Sequence, residues 1–93
     1  MIFRVYAMRD SLTGFANPTF EVNDAVALRN FEAAILSSPR SSLFHHSPED
    51  FTLHFLGTFD SDSGELVHFP VTQIASGSAI ILNSVRGKES ADV

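Results

Sequence analysis

Two segments of the chain alternate apolar and polar residues, as a β-strand with one buried face does. In residues 2–8 the odd-numbered apolar positions share one side, and Arg4 and Tyr6 lie on the other. Residues 51–59 alternate in the same way, and a loop rich in Asp, Ser and Gly separates them from a third such segment at 65–69. The pattern predicts three antiparallel strands, of which the last two form a β-hairpin.

A helical pattern lies between the first and second strands. Apolar side chains recur every three or four positions over residues 24–37, which predicts an amphipathic helix. Asn23 is a suitable N-cap, and Pro39 prevents the helix from continuing. Residues 71–78 fit either a helical turn or a loop, and Ala79–Leu82 would add a fourth strand.

Together these elements predict an α+β domain over residues 1–85, a small antiparallel sheet of three to four strands with one main α-helix packed on one face. Residues 86–93 are predicted as a flexible C-terminal tail. A hairpin register that pairs Phe59 with Glu65 would place Phe55 opposite Phe69. The expected core consists of Phe3, Val5, Leu28, Phe31, Ile35, Leu53, Phe55, Val67 and Phe69.

Composition narrows the class of protein. The 93 residues are 44 % hydrophobic and 18 % charged, which excludes a wholly disordered chain. Because there is no cysteine, disulfides and thiolate metal sites are also excluded. The N-terminus lacks the basic and apolar runs of a signal peptide, and Ala79–Leu82 is far shorter than the ~20 residues of a membrane span. These features predict a cytosolic protein with no membrane partner.

Charge is distributed unevenly along the chain. Residues 1–46 carry four basic and four acidic residues, whereas residues 47–93 carry two basic and seven acidic ones. The net charge is −5, and the chain has a single lysine. Affinity for nucleic-acid phosphates requires clustered Lys and Arg, so non-specific DNA binding by the whole surface is disfavoured.

Two groups of residues are candidate metal ligands. The acidic run at 60–64 lacks the EF-hand ligand at position 5, the Gly at position 6 and the Glu at position 12, so it fits a hairpin turn better than a calcium loop. His45 and His46 are adjacent and should point apart, while His54 and His68 would lie diagonally on one hairpin face. Half-exposed strand positions also accept His without a function, and we expect no metal and no cofactor.

Catalytic motifs do not occur in the sequence. It has no Gly-x-Ser-x-Gly elbow, no cysteine nucleophile and no Gly-rich phosphate loop. Glu49 and Asp50 follow Pro48 in a helix-initiating turn and do not resemble an acid–base pair. We therefore expect no catalytic residues and a protein that is not an enzyme.

Two binding surfaces are predicted, and they share one residue. Arg4, Tyr6 and Arg9 could stack a base and contact phosphates of single-stranded DNA. In the alternative, the two arginines pair with carboxylates and Tyr6 packs partly into the fold. If the second face of the sheet is open, Tyr6, Leu56 and Leu66 offer an apolar patch to a partner protein or to a second copy of the chain.

Several short motifs, taken in order over residues 2–70, resemble one viral family. They include a strand ending in Tyr-x-x-x-Asp, a helix of Ala-x-Arg-x-Phe type, and a Pro-Glu-Asp-aromatic segment followed by Gly-x-aromatic-Asp and a Gly-containing turn. The chain is similar in these motifs to the small nonstructural protein of gokushovirus-type microviruses, which are single-stranded DNA phages. The matching residues are Tyr6 and Asp10, Ala27 to Phe31, Pro48 to Leu53, Gly57 to Asp60, and Gly64.

The resemblance implies a non-enzymatic protein made in the host bacterial cytoplasm and absent from the virion. It transfers no functional residue to this sequence. It suggests DNA binding, or control of the switch to single-strand synthesis and packaging. Because the chain is acidic, we expect a protein–protein adaptor for viral or host replication and assembly proteins, with single-stranded DNA binding as the alternative.

Overall fold

The computed structural model describes the backbone of residues 1–91 and the side chains of residues 1–85. It confirms the predicted α+β class, with a five-stranded antiparallel sheet and helices. A short 3₁₀ turn at Pro48–Asp50 leads into the fourth strand. The elements are β1 (Ile2–Asp10), β2 (Gly14–Phe15), β3 (Thr19–Glu21), α1 (Asp24–Leu36), α2 (Leu43–His46), β4 (Phe51–Asp60), β5 (Leu66–Ser76) and α3 (Gly77–Ala91).

β1 and β4 form the middle of the sheet. The short strands β2 and β3 both pair with the outer side of β1, β2 near its end and β3 near its middle. On the other side β4 pairs along the whole of β1, and β5 follows as the last strand of this order. The two longest strands are therefore β4 and β5, and β5 forms one edge of the sheet.

A β-bulge at Leu56 decides which residues of β4 share a face. Tyr6 pairs with Phe55 and Val5 with Gly57, so Leu56 is the extra residue opposite β1. Residues 51, 53 and 55 consequently lie on one face, whereas residues 57 and 59 lie on the opposite one. The uninterrupted alternation predicted for residues 51–59 is wrong for this reason.

The register predicted for the hairpin is also wrong. Phe59 pairs with Leu66 and not with Glu65, and Phe55 pairs with Thr72 and not with Phe69. Between the Phe55–Thr72 and Gly57–His68 pairs, β5 has three residues, 69–71, and β4 has Leu56 alone; Pro70 lies among the three. Proline cannot donate a ladder hydrogen bond, and such residues are tolerated at bulges and sheet edges.

The predicted main helix is confirmed as α1. The Asn23 side chain accepts a hydrogen bond from the Val26 backbone N–H at 3.0 Å, as an N-cap does. Ala27, Phe31 and Ile35 form its buried stripe against the sheet. The local spacing of apolar residues was sufficient to predict this element.

The core differs from the expected one because the opposite face of β1 meets the helix. Phe3 is only partly buried and lies on the other face, while Val67 and Phe69 are 40 % and 41 % exposed. Leu28 is partly buried against the core, and Val5 is buried on the other face. The buried cluster consists of Tyr6, Ala27, Phe31, Ile35, Phe51, Leu53 and Phe55.

The fourth strand predicted at Ala79–Leu82 is wrong, since these residues form part of α3. The Ser76 hydroxyl accepts a hydrogen bond from the Ala79 backbone N–H at 3.2 Å, and Ile80 packs against the core. Four aliphatic residues in a row do not distinguish a strand from a buried helical turn. The flexible tail predicted at 86–93 stays a prediction: the backbone is helical to Ala91, and the side chains from residue 86 and the last two residues lie outside the described part.

Candidate functional site

The two faces of the sheet differ in what covers them. The closed face carries α1, and Phe44 of α2 and Ile80 of α3 pack against the same cluster. Among the described elements, no helix packs its buried residues on the opposite, open face. By strand alternation the closed face holds Arg4, Tyr6, Met8, Leu53 and Phe55, and the open face holds Phe3, Val5, Ala7, Arg9, Phe15, Phe20, His54, Gly57, Phe59 and Leu66.

Tyr6 is on the closed face and has 0 % exposure. Its hydroxyl donates a short hydrogen bond to Asp24 at the start of α1. The Arg4 Nε–H reaches both the Tyr6 hydroxyl, at 3.0 Å, and the Asp24 carboxylate, at 2.9 Å. The predicted exposure of Tyr6 for base stacking or protein docking is therefore wrong, since its side chain joins β1 to α1.

The charges and pKa shifts of Arg4, Tyr6 and Asp24 are those of a structural contact between β1 and α1. The hydrogen bond from Tyr6, followed by that from Arg4, lowers the pKa of Asp24 below its ordinary value. Burial and the hydrogen bond to Asp24 raise the pKa of Tyr6 to about 12. The Arg4 guanidinium also lies 4.0 Å from the centre of the Phe55 ring. Arg4 thus follows the alternative interpretation, an arginine paired with a carboxylate.

Arg9 lies on the open face, so the structure does not bring the three predicted DNA-contact residues together. Its guanidinium carbon is 5.8 Å from the centre of the Phe15 ring, and the Phe15 ring is 5.2 Å from that of His54. The His54 Nε2 and Thr52 Oγ1 atoms are 2.8 Å apart. Arg9, Phe15 and His54 form a small polar–aromatic cluster at one end of the open face.

His54 is the titratable group of this cluster. Its Nδ1 atom is buried and has no hydrogen-bond partner in the described part of the chain. Burial, and then the positive charge of Arg9, lower the pKa of His54 below its ordinary value of 6.5. The surroundings of His54 therefore favour the neutral imidazole over the charged one.

Apolar side chains continue along the open face beyond this cluster. The Phe20 and Phe59 rings are 5.2 Å apart, and Leu56 and Leu66 line one hollow of about 160 Å³ with Val5, Pro18, Gly57, Val67 and His68. Phe15 and Phe20 are about half exposed, and Leu66 is 65 % exposed. We call Phe15, Phe20, Leu56, Phe59 and Leu66 the open-face patch. It joins two of the three residues predicted for a docking surface, Leu56 and Leu66, but not Tyr6.

Sequence reasoning missed the two exposed phenylalanines of this patch. Phe15 and Phe20 come from a two-residue and a three-residue strand, which are positioned by pairing with Arg9 and Val5. No local periodicity can be read from segments of that length. The signal that was available is the excess of phenylalanine, nine residues in a chain of 93, which is more than the closed face accommodates.

The acidic run at 60–64 forms the predicted hairpin turn. The N-terminal amine lies 2.8 Å from the Asp62 carboxylate and 3.7 Å from that of Asp60, and the Asp62 backbone N–H donates to Asp60 at 2.9 Å. Gly64 has a φ of 78°, in the left-handed region that glycine adopts readily. Within the described residues no group of three or more His, Asp or Glu side chains is placed to hold a metal ion.

A second cleft lies on the closed side, between α1 and the segment that joins β2 to β3. Its volume is about 220 Å³, and its walls are mainly apolar. Glu21 contributes the acidic group of this lining and accepts a hydrogen bond from the Asn30 amide at 3.3 Å. A paired carboxylate in an apolar cleft does not form an acid–base site.

The comparisons with known proteins give one match. A protein-family model described as Phage ORF5 protein matches residues 3–80, which include the strands, apart from the first residue of β1, and the start of α3. Neither the curated proteins nor the solved structures contain a significant match. Within the residues that the structure describes, no helix combines the length and the apolar character needed to cross a bilayer.

Proposed function

Because the chain belongs to the phage ORF5 protein family and is thus a phage accessory protein, we propose that it is a non-enzymatic adaptor in viral DNA replication or assembly. The motifs that resemble the small nonstructural protein of gokushovirus-type microviruses support the narrower assignment to that group of phages. Under this proposal it works in the cytoplasm of the infected bacterium and is not part of the virion.

The observation that carries the proposal is the open-face patch. Phe15, Phe20 and Leu66 are 49 %, 48 % and 65 % exposed, although the same sheet buries a complete core on its other side. Several large apolar side chains exposed on one face of a small domain are typical of a protein-docking site. Aromatic side chains supply large contact area with little loss of conformational freedom.

The charges around the patch favour a protein over nucleic acid as its partner. β4 before Asp60 and the whole of β5 contain no Asp, Glu, Lys or Arg. Depletion of charge at the centre of a surface and enrichment in aromatic residues are features of protein interfaces. Because apolar and aromatic side chains dominate this surface, it supports binding and offers no group suited to bond chemistry.

The proposal is tested by affinity capture from phage-infected cells. The wild-type chain should recover a viral replication or capsid protein, identified by mass spectrometry. Phe20→Asp should abolish that recovery, because it places a charge in the middle of the patch. Leu12→Asp is the matched control, since Leu12 is 83 % exposed in the turn after β1. Recovery that survives Phe20→Asp, or that never includes a viral protein, contradicts the proposal.

A second function, single-stranded DNA binding, is supported by the cluster of Arg9, Phe15 and His54. A guanidinium beside an exposed aromatic ring can contact phosphate while the ring stacks on a base. This site replaces the predicted one, because Arg4 and Tyr6 are engaged with Asp24.

Fluorescence anisotropy with a labelled single strand at two salt concentrations tests this alternative. Arg9→Ala should weaken binding, while Arg29→Ala, which removes an exposed charge of α1, should change it little. If no salt-dependent binding is detected, or if both variants weaken binding equally, the Arg9 cluster is not a DNA site.

A further inference from the structure

β5 leaves one side of its backbone without a partner. It pairs with β4 along one side, and no described strand pairs with the other. At the opposite edge of the sheet, by contrast, β2 and β3 pair with much of the outer side of β1. An unpaired strand of 11 residues presents a row of N–H and C=O groups that can bind another strand.

The side chains of β5 are exposed on both faces of the sheet up to Gln73, and Ile74 and Ala75 pack against the core. Every residue from Leu66 to Gln73 is exposed, and the apolar ones include Val67, Phe69 and Val71 at 40 %, 41 % and 47 %. The helices thus leave the outer part of the hairpin uncovered. An isolated two-stranded hairpin is only marginally stable in water, so additional strands would stabilise this part.

The charges that usually protect an edge strand are missing. Natural edge strands often carry Lys or other charged residues that prevent pairing with another chain. From Leu66 to Val85 the sequence contains no Asp, Glu, Lys or Arg. The acidic residues are instead concentrated in and beside the preceding turn, at Asp60, Asp62 and Glu65.

This placement of charge selects the direction of pairing with a second copy. In a parallel arrangement the two acidic turns would be about one strand spacing, ~5 Å, apart. In an antiparallel arrangement about an axis at Val71, the two Leu66 residues would be about 34 Å apart. That separation is several times the Debye length of about 8 Å at physiological salt, so the turns would hardly repel.

Pro70 interrupts the outer edge, but at the position where an antiparallel pair tolerates it. It lies in the bulged segment of β5, between residues 66–68 and residues 72–73, which pair with β4; a second bulge follows at Ile74. With the axis at Val71, residues 66–69 of one copy face residues 73–76 of the other. The missing N–H of Pro70 then lies beside the centre of the interface, and the residues on either side of it remain able to pair.

We infer that two copies of this chain pair antiparallel through β5, so that the sheet continues across a two-fold axis near Val71. A second copy is the occupant that these observations favour, because it offers an uncharged strand of the same length and keeps the acidic turns apart. Two-fold dimers are also the commonest assemblies of soluble proteins. Leu66 belongs both to this interface and to the open-face patch, but Phe20 lies at the opposite edge of the sheet, so Phe20→Asp and Val71→Lys test the two proposals separately.

The mass of the protein in solution is the first test. The full chain has a mass of 10.2 kDa as a monomer, and sedimentation should give about twice that mass. Val71→Lys should raise the dissociation constant of the dimer. Two lysines would face each other at the axis, and the constant should increase at least about tenfold. Leu12→Lys, which adds the same charge at an exposed position in the turn after β1, outside β5, should leave the mass unchanged. Circular dichroism of both variants verifies that they are folded.

Disulfide trapping tests the direction and register, since the chain has no cysteine of its own. Val71→Cys should link to its own copy under mild oxidation, because facing residues in adjacent strands have Cα atoms within disulfide range. Leu66→Cys alone should not link, but a mixture of Leu66→Cys and Ser76→Cys should form the mixed disulfide.

Four results would overturn the inference. The first is a wild-type chain that stays monomeric at about 100 μM, a concentration where weak dimers form. The second and third are a dimer that Val71→Lys does not weaken and a dimer that Phe20→Asp dissociates instead. The fourth is efficient disulfide linking of Leu66→Cys to itself. Binding of β5 to a strand of another viral protein, with no dimer, would show a different occupant. Loss of viral capture in Phe20→Asp with an unchanged mass would leave both proposals intact.

Discussion

The two faces of the sheet are built from the same few strands, yet they have opposite roles. On the closed face Tyr6 is completely buried and Phe31 of α1 packs beside it. On the open face Phe15 and Phe20 are about half exposed, with no described helix above them. Alternation along a strand therefore assigns residues to two faces, but it does not show which of the faces the helix covers. When both faces of a strand are apolar, the one that is left open becomes the candidate binding surface.

The largest expected difference between the two faces is in the free energy of unfolding lost when one phenylalanine on each face is replaced by alanine. Phe31→Ala removes a buried ring and should lower the free energy of unfolding by about 3–5 kcal/mol. Phe20→Ala removes a half-exposed ring and should cost about 1 kcal/mol. Urea denaturation measures both values. Equal losses would mean that the open face is as tightly packed as the closed one.

Gly57, which follows the Leu56 bulge, tests how closely β4 and β5 approach each other. A Cβ atom there would lie 2.0 Å from the Val67 carbonyl oxygen of β5, so the strands would have to separate. Gly57→Ala should therefore cost about 3 kcal/mol or more. Gly64→Ala is the matched control: its φ is 78°, nothing lies within 4 Å of the new Cβ, and the cost should be about 1 kcal/mol. A Gly57→Ala protein as stable as wild type would contradict this close approach.

Tyr6→Phe distinguishes a structural role from a binding role for this residue. It removes the hydroxyl that joins Arg4 and Asp24 and should lower the free energy of unfolding by about 1 kcal/mol. Binding of single-stranded DNA or of a viral protein should be unchanged after correction for stability, because the ring is buried in either variant. A selective loss of binding would restore the original prediction for Tyr6.

The pKa of Tyr6 tests whether its hydroxyl is buried on the closed face. It is the single tyrosine of the chain, so tyrosinate absorbance reports on this residue alone. The folded protein should titrate near a pKa of about 12, compared with 10.0 for an unperturbed tyrosine. Because the folded-state pKa is the higher one, this contribution to stability is complete below pH 10 and is lost as the pH rises toward 12. A folded-state midpoint near 10 would show that the hydroxyl is exposed.

The smallest effect is expected at His54 on the open face. Its pKa lies below 6.5, so the stability it contributes is present above pH 6.5 and is lost as the pH falls through the folded-state value. Arg9→Ala should move the His54 pKa back toward 6.5, because a neighbouring positive charge is removed. Imidazole proton shifts followed by NMR measure the change. An unaltered His54 pKa would mean that Arg9 does not act on His54, and it would contradict a site shared by the two residues.

Much of the fold could be predicted from local patterns. α1 was predicted within one residue at its end, because three apolar turns and the Asn23 cap are all contained in the segment itself. The alternation of residues 2–8 and 51–59 correctly indicated β1 and β4. Ala79–Leu82 was misassigned because β5 and α3 are joined at Gly77 without a loop, and a four-residue aliphatic window contains no periodicity.

The candidate site was less predictable than the fold. Leu56 and Leu66 do meet, since the hairpin that joins them was recognised. Arg4 and Arg9, five residues apart, lie on opposite faces, a consequence of strand alternation that could have been derived. The positions of Phe15 and Phe20 depend on pairing with β1 and have no local signal.

Sequence patterns were sufficient to predict the fold class, the main helix, β1, β4 and the uncharged character of β5, because these depend on neighbouring residues along the chain; the extension of β5 from residue 70 to Ser76 was not predicted. The tertiary structure decided which face of β1 meets α1, where Leu56 bulges and which phenylalanines stay exposed. The physical reason is that both faces are apolar enough to be buried. The choice between them depends on contacts between distant segments, such as the hydrogen bond from Tyr6 to Asp24.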